Sequence, residues 1–141
     1  MNSEILIVDD ESHGISWLCE YLHEKNYSCV VAKNIQDAVN HLATKRFRAI
    51  VVDLNVPISS EYNAALSEKG ELYKKYPGLY FAEHSRNQGY RDRQVIVYSV
   101  HDLDEVRLVT NRIRIDYATK GRPRGFKSLI DEVLSYDPTQ T

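Results

Sequence analysis

Four short runs of apolar, largely β-branched residues punctuate the chain: ILIV at 5–8, CVVA at 29–32, AIVV at 49–52 and VIVY at 95–98. Runs of that length and composition mark strands buried on both faces, as in parallel sheets. A weaker fifth run ends in Asp116-Tyr117-Ala118-Thr119. Between the runs, apolar residues recur at steps of three and four: Ile15, Leu18, Cys19 and Leu22, then Ala38, Val39 and Leu42, then Leu103, Val106 and Val109, and last Leu129, Ile130, Val133 and Leu134. Such spacing lines one face of a helix. Parallel strands need long crossover connections, and helices supply them, so the alternation predicts an α/β fold with a parallel sheet covered on both faces. At 141 residues and 43% hydrophobic, the chain can bury the core of one domain, expected to span residues 1–141. Only the tail SYDPTQT reads as an unstructured end, and no internal repeat is visible.

Composition narrows the partners. Lys and Arg number 18 against 20 Asp and Glu, a net charge of -2, which gives no global reason to expect nucleic acid or an anionic membrane. Cys19 and Cys29 are too few for a disulfide scaffold and lie in no metal-binding spacing, so reduced thiols and a cytoplasmic location are expected. The five histidines, His13, His23, His41, His84 and His101, show no ligand spacing. MNSEILIVDD lacks a positive region with a long apolar segment behind it, so no targeting signal is expected, and no run approaches a membrane span.

Chemistry gathers where the strands end. In open parallel sheets, ligands bind beyond the carboxyl ends of the strands. The first run is followed by Asp9-Asp10, the third by Asp53, the fourth by Ser99 and the fifth by Lys120. Each alone has a bland reading: an acidic pair caps a helix, an aspartate or serine starts a turn, a lysine solvates a loop. Together they put three carboxylates, a hydroxyl and an ammonium at one sheet edge. Clustered carboxylates repel one another, and a hard cation bound through oxygens is the usual way to keep them ionised. Mg²⁺ fits best, with Mn²⁺ as a substitute. A lysine and a hydroxyl suit phosphoryl oxygens, and a carboxylate can itself accept the phosphoryl group. The pattern reads as an aspartyl-phosphate site.

With Asp9-Asp10, Asp53 in a D-x-x-x-P context ending at Pro57, Ser99, Asp116-Tyr117 and Lys120 in order, the sequence resembles the receiver domain of two-component response regulators along nearly its whole length. The resemblance implies a CheY-like doubly wound sheet of five parallel strands in the order 2-1-3-4-5. It implies Asp53 as phosphoacceptor, Asp10 as a direct Mg²⁺ ligand, Asp9 acting through water and Asn55 offering its backbone carbonyl. Ser99 and Lys120 would contact the phosphoryl oxygens, and Tyr117 would occupy the aromatic switch position. A histidine kinase or histidine phosphotransfer protein would be the donor, and a downstream protein the reader.

Three departures from that pattern stand out. Pro57 and Gly78 are separated by the 20 residues 58–77 where the family has three, which predicts an insertion between strand 3 and helix 3. Within it Tyr62, Leu66, Lys69, Tyr73 and Tyr76 follow helical steps interrupted by Gly70, predicting a short helix or helical hairpin that either packs on the domain or covers the site. Val100 replaces the small residue usual after the Ser/Thr position, which predicts slow entry of phosphodonors and slow hydrolysis. Gly121 follows Lys120 where the family commonly has proline, leaving that loop undetermined.

Residues 107–127 carry Arg107, Arg112, Arg114, Lys120, Arg122, Arg124 and Lys127 against the single acid Asp116, a solvated basic face or a docking surface for an acidic protein. Trp17 is read as a packing residue or part of a kinase-docking face. The function expected is therefore a stand-alone response regulator. The alternative is a phosphorylation-independent adaptor built on the same scaffold. A phosphatase of the haloacid dehalogenase type would want a second acid two residues after the nucleophile, and Asn55 stands there instead.

Overall fold

The computed structural model describes residues 3–11, 15–120 and 123–138. Gly121, Arg122 and His13 lie outside the described residues, as does the loop geometry expected to depend on Gly121. Five strands, β1 (Glu4–Val8), β2 (Ser28–Ala32), β3 (Ala49–Asp53), β4 (Val95–Ser99) and β5 (Asp116–Thr119), form one parallel sheet in the order β2-β1-β3-β4-β5. The order and the strand positions are those expected from the apolar runs and the resemblance.

Because side chains alternate across a strand, each run divides between two cores. Leu6, Val8, Ile50, Val52, Val95 and Val97 face one side. Helices α2 (Ile35–Thr44), α5 (Pro77–Asn87) and α6 (Asp104–Arg112) cover it with Ile35, Leu79, Phe81 and Val106. Ile5, Ile7, Ala49, Val51, Ile96 and Tyr98 face the other, covered by α1 (Ser16–Glu24) and α7 (Pro123–Ser135) through Leu18, Leu22, Phe126 and Ile130. Trp17 packs edge-on against Phe126 at 5.8 Å, the packing role among its two readings. No helix among the described residues is long and apolar enough to cross a membrane.

The 58–77 segment forms a 3-10 turn (Ser60–Tyr62), α3 (Asn63–Lys69) and α4 (Glu71–Lys75), with Gly70 at φ 113° breaking the two helices apart. That left-handed φ favours glycine, which accounts for the interruption in the helical spacing. The segment packs on the domain: Leu66, Tyr73 and Tyr76 join the core beneath α5, and the Tyr62 and Tyr80 rings meet edge-to-face at 5.7 Å.

One cation ties the far end of this layer. Arg86, at the end of α5, donates from Nη1 to the Tyr90 carbonyl at 3.0 Å, from Nη2 to that of Asp92 at 2.7 Å and from Nε to that of Ile113 at 3.2 Å, and it also reaches the Arg114 carbonyl. Asp92 and Arg114 are non-glycine residues at φ 51° and 59°. Each sits where the chain turns into a strand.

Candidate functional site

The register carries the polar residues to one place. Val8 pairs with Val52, Asp53 with Tyr98 and Ser99 with Thr119, so the residues at or just past these positions share the carboxyl edge of the sheet. Carboxylate oxygens of Asp9, Asp10 and Asp53 lie within 4.8 Å of one another. Asp9 is 1% exposed and Asp53 8%, whereas Asp10 stands open to solvent. Lys120 enters from the end of β5, its Nζ 3.0 Å from Asp9 Oδ2 and 3.7 Å from Asp53 Oδ2. The lysine is anchored by its own backbone, whose N–H donates to the Ser99 carbonyl at 2.6 Å. Its ammonium also lies 5.0 Å from the Tyr98 ring, which stacks at 4.4 Å on Phe126.

Electrostatics follow from burial and charge. Burial pushes the Asp53 carboxyl up, Lys120 pulls it down, and Asp9 then Asp10 push it up again, to about 6. Burial works against the Lys120 ammonium, but the hydrogen bond to Asp9 and the charges of Asp53 and Asp9 hold its pKa above the ordinary value. The second Asp9 oxygen accepts the Glu11 N–H at 2.9 Å, the turn contact expected of an acid after a strand. The pocket therefore holds more negative charge than one lysine offsets. Its donors are all oxygens, the set that suits a hard divalent cation, so the residues fit Mg²⁺ or Mn²⁺.

Ser99 is fully buried and its Oγ accepts the His101 N–H at 3.2 Å. Val100 is 62% exposed beside it. Asn55 is exposed just beyond Asp53. Tyr117 is buried, its hydroxyl donating to the His101 carbonyl and accepting the Leu103 N–H at 3.2 Å, with the Arg107 guanidinium 4.7 Å from its ring. The β4–α6 connection is thus closed over the tyrosine. The Ile35 N–H donates to the Pro57 carbonyl at 2.9 Å, and the Gly78 N–H to that of Leu54 at 3.0 Å, which fixes the loop after Asp53 from both sides.

Two arrangements were not visible in the sequence. Glu83 on α5 accepts from Lys69 of α3 and, at 2.6 Å, from the Tyr73 hydroxyl of α4, joining both helices of the 58–77 segment. Burial alone would raise its pKa, but Lys69, Tyr73 and the nearby charge of Arg112 hold it below the usual 4.5. A lowered carboxylate stabilises the fold above its unfolded pKa and loses that contribution as pH falls through the folded one. Protection of the α4 amides from hydrogen exchange is accordingly expected to decline below about pH 4.5 in wild type. Glu83→Gln is expected to show weak protection at every pH, and an unchanged profile would remove Glu83 as the anchor.

The basic run is the other case. Arg107 pairs with Asp102 at 2.7 Å in the α6 layer, Lys120 turns into the pocket, and Lys127 lies over Trp17 and Tyr21 in the α1–α7 layer. Because β5 is the edge strand, α6, β5 and α7 surround one edge of the sheet, and Arg107 shares a groove there with Gly125, Phe126 and Leu129 of α7. What the sequence did not show is that these side chains are already engaged, Arg107 by Asp102 and the Tyr117 ring, Lys127 by the Trp17 and Tyr21 rings.

No family model matches the chain, and no curated protein does. Solved structures match over its whole length. A CheY-like response regulator receiver domain protein from Methanospirillum hungatei is 16% identical, with a TM-score of 0.73 and 100% of both chains covered. The non-phosphorylated receiver domain of HemR from Leptospira biflexa is 19% identical, with a TM-score of 0.73, over 99% of this chain and 100% of that one. The response regulator TrrA from Thermotoga maritima, in complex with Mg²⁺ and BeF, is 20% identical, with a TM-score of 0.67, over 94% and 99%. The fold is that of CheY-like response regulator receiver domains.

Proposed function

We propose that this chain is a phosphoaccepting receiver that takes a phosphoryl group on Asp53 from the phosphohistidine of a histidine kinase or phosphotransfer protein. The reading is carried by one observation: a buried carboxylate shares its pocket with two further carboxylates and one ammonium, Lys120. An Asp53 Oδ attacks phosphorus, the P–N bond of the donor breaks, and its electron pair stays on the donor imidazole. Mg²⁺ or Mn²⁺, held by Asp53, Asp10 and the Asn55 carbonyl with Asp9 acting through water, would supply the positive charge that the transferring group needs. Lys120 and Ser99 are assigned to the phosphoryl oxygens. Tyr117 is assigned as the switch residue, since its hydroxyl already holds the β4–α6 connection. Residues 58–77 are assigned as an insertion within a single receiver domain. Output is by binding a downstream protein; the chemistry is that of signalling, not of turnover. A phosphorylation-independent adaptor would have no use for this set of charges in one pocket.

Intact mass after incubation with acetyl phosphate and Mg²⁺ tests the reading. One phosphoryl group is expected on wild type, none on Asp53→Ala and none in EDTA. No addition to wild type, even with phosphohistidine donor proteins present, would turn the reading toward the adaptor. Val100 bears on the same rates. Its exposed isopropyl group stands beside Ser99, so Val100→Ala is expected to speed both phosphorylation by acetyl phosphate and loss of the phosphoryl group. Unchanged rates in both directions would clear Val100 of any gating role.

A further inference from the structure

The only two cysteines of the chain, distant from the strand-end pocket, lie side by side. Cys29 pairs with Ile5 across the β1–β2 ladder, so it shares the sheet face of Ile5, the face covered by α1 and α7. Ile5 precedes Asp9 by four residues, about 13 Å at the usual rise of a strand. Cys19 sits on α1 between the buried Leu18 and Leu22, one helical turn before the latter, and packs against the same cluster. The two thiols adjoin where α1 packs on β2, and both are half-buried, so small reagents can reach them. β2 is an edge strand, flanked on one side only.

We propose that Cys19 and Cys29 are a redox pair, closing to an intramolecular disulfide that pins α1 to β2 when the chain meets a low-molecular-weight disulfide such as oxidised glutathione. The Cys19 thiolate attacks one sulfur of glutathione disulfide; that S–S bond breaks, and one glutathione leaves as thiolate and takes up a proton. Cys29 then loses its proton and attacks Cys19 Sγ, and the second glutathione leaves. Two protein thiols are oxidised and one disulfide is reduced to two thiols. The order follows from environment: burial and the neighbouring Cys19 push the Cys29 thiol well up, so it keeps its proton and acts second. The second step is then limited by thiolate formation and quickens with pH. None of this depends on Asp53 being phosphorylated.

The test uses the reduced full-length chain with excess oxidised glutathione, quenched with a thiol alkylator and read by intact mass and non-reducing peptide mapping. Expected is a monomer short of two hydrogens, unalkylated, with the peptides of Cys19 and Cys29 joined, and restored by dithiothreitol. Cys29→Ser should stop at one glutathione on Cys19, and Cys19→Ser should leave Cys29 free over the same period. Ring closure should quicken about tenfold from pH 7 to pH 8. A glutathione adduct persisting on wild type, a disulfide-linked dimer, or two cysteines alkylated after native oxidation would each overturn the pair. Equal reactivity of the two serine variants would overturn the order of attack.

Discussion

Gly78→Ala is expected to cost about 3 kcal/mol of stability and to lower the melting temperature by roughly 10 °C, a large part of a domain's total. Gly78 opens α5 directly against the end of β3. A Cβ there would fall on the Asp53 carbonyl oxygen and come within 2.8 Å of both the Asp53 carbonyl carbon and Leu54 Cα. Those are backbone atoms of the loop that presents the central carboxylate, so they have little freedom to yield. Relief would require α5 to lift from the sheet, breaking the Gly78 N–H bond to Leu54 and exposing Leu79 and Phe81. Phosphoryl acceptance is expected to fall with stability, since the carboxylate moves with its backbone. Gly125→Ala is the control. It lies in α7 with nothing within 4 Å of the added methyl, and a helical alanine is expected to stabilise by about 0.5–1 kcal/mol. Thermal melts of the two variants check both, and a Gly78→Ala melt at the wild-type temperature would mean that α5 is not held against β3.

Lys120→Met separates the two jobs of the pocket. The lysine is the cation within reach of both Asp9 and Asp53, and methionine keeps its length and apolar stem without the charge. Loss of one preorganised donor to a developing phosphoryl charge is worth about 10²–10³-fold in rate, and that is the fall expected in phosphoryl acceptance. Binding of Mg²⁺, followed by its rise in melting temperature, is expected to persist or strengthen, because the ammonium no longer competes for the same carboxylates. Loss of both properties together would show that the lysine holds the pocket's shape. Lys120→Arg is not expected to rescue, since a planar fork does not fit the space of a single ammonium.

Much of this was legible in the residues. Burial on both faces shows as continuous apolar runs, and a strand ends where the run ends, so Asp9, Asp53 and Ser99 could be placed on one edge before any coordinates. Gly70 could be read as a break because its neighbours keep helical steps on both sides. What stayed hidden depends on contacts across layers. Gly78 was recognisable by spacing, but its approach to the Asp53 carbonyl needs the packing of α5 on β3. Glu83 carries no local mark that it will gather Lys69 and Tyr73. The basic stretch from Arg107 to Lys127 looked free because sequence does not show that Arg107 meets Asp102 and that Lys127 lies over the rings of Trp17 and Tyr21. Cys19 and Cys29 likewise looked unremarkable until the register of β1 with β2 set one against the helix bearing the other.

Arg86 has a consequence for how the starts of β4 and β5 are held together. The turns at Asp92 and Arg114 take a left-handed conformation without glycine; local bonds support each, Arg114 and Ile115 donating back to Asn111 and Thr110 at the end of α6 and Arg91 pairing with Gln94 around Asp92, and a guanidinium from the end of α5 joins the two. Their shape is local, but their spacing is set from another part of the chain. Arg86 adds what those local bonds do not, a direct tie from one strand entry to the other. Since β4 ends in Ser99 and β5 leads to Lys120, one side chain at the far end of α5 links the starts of the two strands whose other ends carry the hydroxyl and the ammonium of the pocket.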